Sequence, residues 1–144
     1  MWVEDETAAT ILGPTRCLGE ADNEMAIKHH NAVEDPERAF GDHPSGEYLV
    51  KSVHASERDQ IVHYGPYFLL LDPISGDALI AKQDGRMGLG IHGGACLANG
   101  DLRVTYGCLR IDDAIDLELG VLVREELAHE REVRYVCRNV EGTT

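Results

Sequence analysis

The sequence has few basic residues, no long apolar run and no secretion signal, and each absence excludes a class of protein. Lysine and arginine number 13 against 26 acidic residues, a formal net charge of -13. Such a surface repels phosphate backbones, so we expect no nucleic-acid partner. No apolar run approaches the roughly 20 residues of a spanning helix, so we expect no membrane-spanning segment. The amino terminus lacks the basic and apolar regions of a signal peptide.

Paired cysteine motifs and aromatic residues are also scarce. The four cysteines, at positions 17, 96, 108 and 137, form no Cys-x-x-Cys pair and lack the Cys/His spacing of a zinc site. We therefore predict no metal, no cofactor and no dense disulfide framework. Aromatic residues make up 6% of the chain and glycines number 15, which favours a loop-rich β fold over a helical bundle. At 144 residues, we expect a single domain spanning 1–144.

Short apolar segments separated by turn residues predict a mainly β fold with minor helix, arranged as a sheet meander or barrel. The predicted strands cover residues 8–12, 47–53, 60–63, 67–72, 78–82, 88–91 and 132–138. Helical turns are predicted at 24–28 and from 111 to about 119, where acidic residues suit a helix amino end. Gly120 is a candidate interruption of that helix. Residues 1–39 are predicted to be largely irregular and 139–144 to be a polar tail.

The segment 91–110 carries the residue types needed for thiol chemistry. His92 is followed by two glycines, and Cys108 stands between a glycine and a Leu-Arg pair. A nucleophilic thiol needs a base and backbone donors for the developing oxyanion, and glycine lets the main chain approach a substrate closely. Taken alone, however, a single cysteine is more often an inert buried thiol, and a single histidine is more often an ordinary core or surface residue.

Three motifs in order resemble the L,D-transpeptidase catalytic domain, also called the YkuD domain. The family signature, His-Gly, a gap, then Ser/Thr-x-Gly-Cys-(Ile/Leu/Val)-Arg, reads here as His92-Gly93 and Thr105-Tyr106-Gly107-Cys108-Leu109-Arg110. A family turn, Thr-Pro-x-Gly-x-Tyr/Phe, is matched at 43–48, with His43 in place of the threonine. The glycine-bracketed histidine at 90–93 is the third match, whereas residues 1–39 match weakly.

The resemblance implies a β-sandwich-like or barrel-like L,D-transpeptidase fold and a function in cell wall biogenesis and cell shape. Its substrate would be peptidoglycan stem peptides, cleaved between a diamino-acid L-centre and D-alanine. D-Ala would leave, and the acyl group on Cys108 would pass to an amine of a second stem or to water. The resemblance also implies carbapenem-type inhibitors as ligands and a location in the cell envelope or periplasm.

The motif assigns a role to each residue of the predicted site. Cys108 is the nucleophile and His92 its general base, with the second imidazole nitrogen held by a backbone carbonyl in the 93–94 region instead of a carboxylate. We expect thiolate character to come from an imidazolium or from the amino end of the following helix. The backbone groups of Gly107, Cys108 and Gly93 are the predicted oxyanion donors.

The other motif residues have two readings each. Arg110 would grip a substrate carboxylate bidentately, or would pair with Asp112 or Asp113. Thr105 and Tyr106 would line the substrate pocket, or Tyr106 would only pack. Cys96 is a bystander, or an oxidising environment pairs it with Cys108 and silences the nucleophile.

Several functions remain compatible with the sequence. The same nucleophile would serve an L,D-carboxypeptidase or an antibacterial effector exported without a cleaved signal. An inactive module that binds cell-wall peptides and a cysteine protease of unrelated fold are further alternatives. The negative net charge is at odds with a polyanionic cell-wall polymer unless basic residues cluster near the site.

Overall fold

A curled six-stranded sheet forms the centre of the fold. The computed structural model describes residues 1–138. The eight strands are, in chain order, β1 (Val3–Glu4), β2 (Thr10–Leu12), β3 (Cys17–Leu18), β4 (Gly46–Ala55), β5 (Tyr67–Pro73), β6 (Gly90–His92), β7 (Leu109–Ile111) and β8 (Arg134–Cys137). Strands β1 and β2 form an antiparallel pair of their own, and the large sheet has the order β3-β7-β6-β5-β4-β8. Adjacent strands in this sheet are antiparallel, except β6 and β7, which are parallel.

Four helices accompany the sheet: α1 (Asn23–Lys28), α2 (Ile61–Tyr64), α3 (Gly76–Gln83) and α4 (Asp113–Ala128). The Asp22 carboxylate caps α1 by accepting the Met25 N–H. Helix makes up 25% of the structure and strand 26%, so the fold is mixed and sheet-rich with minor helix. Among residues 1–138, no helix has both the length and the apolar character needed to cross a bilayer.

The longer apolar segments have the predicted structure. The predicted strands at 47–53 and 67–72 lie within β4 and β5, the prediction at 132–138 contains β8, and the helical turn at 24–28 lies within α1. In β5, buried and partly exposed residues alternate along the strand, the pattern of a sheet whose two faces differ. The predicted tail at 139–144 lies outside the described residues.

Two predicted strands are wrong, because both segments are helical. Residues 60–63 overlap α2, and residues 78–82 lie within α3. Runs of four or five apolar residues fit either structure by periodicity alone. In α3 the buried residues Ala78 and Ala81 are three positions apart, which is helical spacing. Strands β4, β5 and β6 follow the predicted meander as consecutive antiparallel neighbours, whereas β6 and β7 are parallel and β3 pairs with β7.

The last helix begins later and runs further than predicted. Residue Ile111 belongs to β7, and α4 continues through Gly120 to Ala128. Gly120 does not interrupt the helix but lets it approach the sheet: a Cβ there would lie 2.3 Å from Cδ2 of Tyr67. The helix thereby buries Leu119 and Val123 in the cluster that contains Tyr67.

Replacing Gly120 with alanine tests this close approach. Alanine normally stabilises a helix interior by up to about 1 kcal/mol relative to glycine. Here we expect Gly120→Ala to lower the free energy of unfolding by about 1–3 kcal/mol, because the added methyl group overpacks against Tyr67. Urea denaturation measures the change. Glu118→Ala, an exposed substitution on the same helix, is the control and should have little effect, whereas a stabilised Gly120→Ala protein would contradict the packing.

Candidate active site

The parallel pairing of β6 and β7 brings His92 and Cys108 to one cleft. His92 ends β6, Cys108 immediately precedes β7, and the register pairs Ile91 with Leu109 and His92 with Arg110. Both side chains line a cleft of about 810 Å³. Ligand sites commonly measure roughly 300–1,000 Å³. The cleft is therefore large enough for a peptide-sized ligand beside the predicted nucleophile and base.

A main-chain carbonyl orients the His92 imidazole. Nδ1 lies 2.7 Å from the carbonyl oxygen of Gly93, within the 93–94 stretch that the motif indicates. Since a carbonyl only accepts, Nδ1 carries the proton and Nε2 keeps its lone pair. Burial, aided by the Arg110 charge, lowers the pKa of His92 to about 4 against the opposing effect of the Gly93 hydrogen bond. His92 is therefore a neutral imidazole at pH 7.

The Cys108 thiol is also neutral in the resting protein. Burial raises its pKa, which the Gly90 N–H and the nearby arginines only partly offset. Its Sγ donates to the Gly88 carbonyl oxygen at 3.7 Å, not to the imidazole. Neither expected source of thiolate character is in place. The imidazolium is absent because burial keeps His92 neutral, and the amino end of α4 is not next to Cys108 because β7 lies between them. His92 would thus have to take the thiol proton during attack.

Thr105 holds the loop that carries Cys108. Its Oγ1 accepts the Gly107 N–H at 3.0 Å and donates to the Cys108 carbonyl oxygen at 2.7 Å. Its own carbonyl oxygen accepts the Asp22 N–H at 2.7 Å. The Gly107 N–H is therefore already engaged, and the Gly93 N–H donates to Tyr64 O at 2.9 Å. Of the three predicted oxyanion donors, the Cys108 N–H is the remaining candidate.

Two buried residues to which the sequence analysis assigned no role in the site lie against this loop. His43 Nδ1 donates to Gly107 O at 2.8 Å, and His43 Nε2 accepts from the Tyr135 hydroxyl at 3.1 Å. Arg86 donates to the carbonyl oxygens of Gly41 and Asp42 at 2.8 and 2.9 Å. A Cβ on Gly107, whose φ is +115°, would lie 1.9 Å from Nη2 of Arg86, so this position requires glycine.

Arg110 does not form the predicted pair with Asp112 or Asp113. It is only 7% exposed, and its Nη1 donates to Gly93 O at 2.8 Å and His63 O at 3.3 Å.

The two neighbouring carboxylates have other partners. Asp112 is paired with Arg16 at 2.7 Å, and Asp113 accepts the Gly94 N–H at 2.7 Å, so neither carboxylate pairs with Arg110. Arg110 thus donates to the Gly93 carbonyl oxygen that orients His92, and it also lines the cleft.

Tyr106 belongs to an aromatic rim of the cleft. It is 60% exposed, and its ring is tilted against Phe40 at a centroid distance of 5.7 Å. Phe40 in turn stacks on His29 at 3.7 Å. Tyr106 therefore both lines the cleft and packs, so its two predicted readings are not exclusive.

The cleft is basic although the protein is acidic. Its charged lining residues are three arginines and one aspartate, Arg86, Arg103, Arg110 and Asp22. The whole chain has twice as many acidic as basic residues, 26 against 13. The basic residues thus do cluster at the predicted site, the condition under which an anionic substrate is compatible with the net charge.

Cys96 is a free thiol, as are the other three cysteines. Its Sγ lies 3.6 Å from Nη2 of Arg16 and 4.0 Å from Oδ1 of Asp112, in the loop after the His-Gly-Gly segment. It is not bonded to Cys108 in this structure. Across residues 1–138, no group of three His, Cys, Asp or Glu side chains is arranged to hold a metal ion.

Comparison with protein families, curated proteins and solved structures finds no match to this chain. The functional interpretation therefore depends on the geometry of the cleft and on the motifs that line it.

The neutral state of the pair predicts a steep pH dependence of thiol reactivity. Because the thiolate is the reactive form and the pKa of Cys108 is raised, alkylation of Cys108 by iodoacetamide should increase with pH from 6 to beyond 9. Mass spectrometry of the peptide containing Cys108 gives the rate separately from the other cysteines. A plateau between pH 5 and 8 would instead indicate a preformed thiolate–imidazolium pair and contradict the neutral assignment.

Thr105 offers a matched test of the loop at 105–108. Thr105→Val keeps the shape but removes the hydroxyl that bonds Gly107 and Cys108, leaving buried groups without a partner. We expect it to lower the free energy of unfolding by about 1–3 kcal/mol. Thr105→Ser keeps the hydroxyl and should retain most of the stability. Equal stability of the valine and serine variants in urea denaturation would show that these hydrogen bonds do not hold the loop.

Proposed function

We propose that this protein is a cysteine-dependent L,D-transpeptidase acting on peptidoglycan stem peptides, with the L,D-transpeptidase fold and a place in the cell envelope. One observation supports it above the others: two distant motif residues, Cys108 and His92, line the same cleft from adjacent parallel strands. The hydrogen bond from His92 Nδ1 to Gly93 O leaves Nε2 as the base. The basic lining of the cleft suits a peptide that carries carboxylates.

Acylation would proceed through attack of the Cys108 sulfur on the carbonyl carbon between the diamino acid and D-alanine. The thiol proton passes to Nε2 of His92, the C–S bond forms, and the carbonyl oxygen becomes an oxyanion beside the Cys108 N–H. The imidazolium then returns the proton to the leaving nitrogen as the C–N bond breaks. D-Alanine departs, and a thioester remains on Cys108.

Deacylation repeats these steps with a second nucleophile. An amine of another stem attacks the thioester carbon, His92 accepts its proton, and the C–S bond breaks to restore the thiol. Because both groups are neutral at rest, no charge has to be buried before substrate arrives, and proton transfer accompanies attack. Water in place of the amine would make the protein an L,D-carboxypeptidase.

The test is incubation of the protein with tetrapeptide muropeptides, followed by mass analysis of products and of Cys108. We expect cross-linked dimers, release of D-Ala and, with a carbapenem, a covalent adduct on Cys108. Cys108→Ala should abolish all three, and His92→Ala should slow acylation by about 10²–10⁴-fold, the usual contribution of a general base. Cys96→Ala is the matched control and should keep full activity, since Cys96 does not line the cleft.

The products separate the alternatives. Tripeptide stems without dimers would indicate a carboxypeptidase. The same carboxypeptidase activity on the cell wall of a competing bacterium would indicate an antibacterial effector. Muropeptide binding that is unchanged in Cys108→Ala, without turnover in the parent protein, would indicate an inactive binding module. Absence of product, adduct and binding would contradict the proposal as a whole.

A further inference from the structure

Arg103 is an unpaired cation at the cleft. It is exposed, lies two residues before Thr105, and lines the same cleft as Cys108. The part of the chain that the structure describes supplies it with no ion pair and no side-chain hydrogen bond. Other exposed arginines, Arg16 and Arg131, lie 2.7 and 2.6 Å from a carboxylate. Of the three arginines that line the cleft, Arg86 and Arg110 donate to main-chain carbonyl oxygens, so within the described residues Arg103 is the one whose guanidinium is free to bind an anion.

Arg110 contributes a second guanidinium to the same cleft. It is 7% exposed, and its buried Nε has no hydrogen-bond partner among residues 1–138. Both guanidinium groups belong to the lining of one cleft, and the charge of Arg103 adds to the effect of burial in lowering the pKa of Arg110. Their repulsion would be relieved by an anion that binds between them. Asp22, the acidic residue of the lining, is already committed to capping α1.

We propose that Arg103, together with Arg110, forms a subsite that binds a carboxylate in the nucleophile cleft. A guanidinium is suited to this because its planar donors match the two oxygens of a carboxylate. The subsite deepens the proposed function, on which it rests only for the identity of the ligand: the carboxylate would belong to the acyl-donor peptide, at its C-terminus or on the side chain of its diamino acid. Arg103 lies outside the Cys108 motif, so it would set specificity without touching the reacting atoms.

A matched pair of alkylating agents tests the subsite without any peptide. Iodoacetate carries a carboxylate and iodoacetamide is its neutral analogue; in both, the Cys108 thiolate attacks the methylene carbon, a C–S bond forms and iodide leaves. We expect Arg103→Gln to lower the ratio of the iodoacetate rate to the iodoacetamide rate at Cys108 roughly three- to fivefold, the effect of one partly exposed charge pair. Arg103→Lys should keep most of the ratio.

Controls separate a local subsite from a general charge effect. Arg131→Gln removes the same charge outside the cleft and should leave the ratio unchanged. Raising the ionic strength should reduce the ratio in the parent protein but have less effect in Arg103→Gln. An unchanged ratio in Arg103→Gln, or an equal fall in Arg131→Gln, would overturn the proposal.

Peptide binding then identifies the carboxylate. We compare the Cys108→Ala protein with the double variant that also carries Arg103→Gln. For each, the affinity is measured for a tetrapeptide stem, its C-terminal amide and its side-chain amide. If amidation of one carboxylate weakens binding to the Cys108→Ala protein but not to the Cys108→Ala, Arg103→Gln protein, that carboxylate is the one that Arg103 recognises. If the alkylation ratio depends on Arg103 but no stem peptide acylates Cys108, the proposed function fails and the subsite stands. If stems acylate Cys108 but neither amide shows an Arg103-dependent loss, the subsite fails and the function stands.

Discussion

The carbonyl group of Gly93 is the contact on which the rest of the site depends. It accepts from His92 Nδ1 at 2.7 Å and from Arg110 Nη1 at 2.8 Å, so one oxygen joins the end of β6 to β7. The same peptide segment is held through the Gly93 N–H, which donates to Tyr64 O at 2.9 Å. A Cβ on Gly94 would lie 1.9 Å from Nη1 of Arg110, so the second glycine is required for the arginine to reach this carbonyl. The tautomer of His92, the position of Arg110 and the need for glycine at position 94 thus all follow from one arrangement.

Burial leaves Cys108 and His92 uncharged, while the arginines around them make the cleft positive. His92 and Cys108 are both neutral at rest because the charged form of either would lose its hydration. The surrounding arginines keep their charge, since Arg86 and Arg110 donate to main-chain carbonyl oxygens. A protein of net charge -13 therefore presents a locally positive cleft, which concentrates anionic ligands where the thiol lies.

Local patterns predicted the longer elements and failed at the short ones. Strand β5 was predictable because its seven residues alternate between two environments. Strand β4 was predictable from the turn that precedes it and from its β-forming residues Tyr48, Val50 and Val53. Helices α2 and α3 were mistaken for strands because each apolar run is too short to define a period. The shift of the last helix start from Ile111 to Asp113 has a tertiary cause: Ile111 pairs with Cys17 in the sheet, and that pairing is not visible from neighbouring residues.

The sequence by itself determined the chemistry available: a thiol at Cys108, an imidazole at His92 and glycines beside both, at spacings that pointed to one site. Only the tertiary structure decided the state of that chemistry, because burial and hydrogen bonds set the protonation of each group. It also decided which other residues take part. His43 bonds Gly107 across 64 positions and Arg86 bonds Gly41 across 45, and no local pattern encodes such contacts. They exist because the curled sheet brings distant segments together, and packing acts between neighbours in space instead of neighbours in the chain.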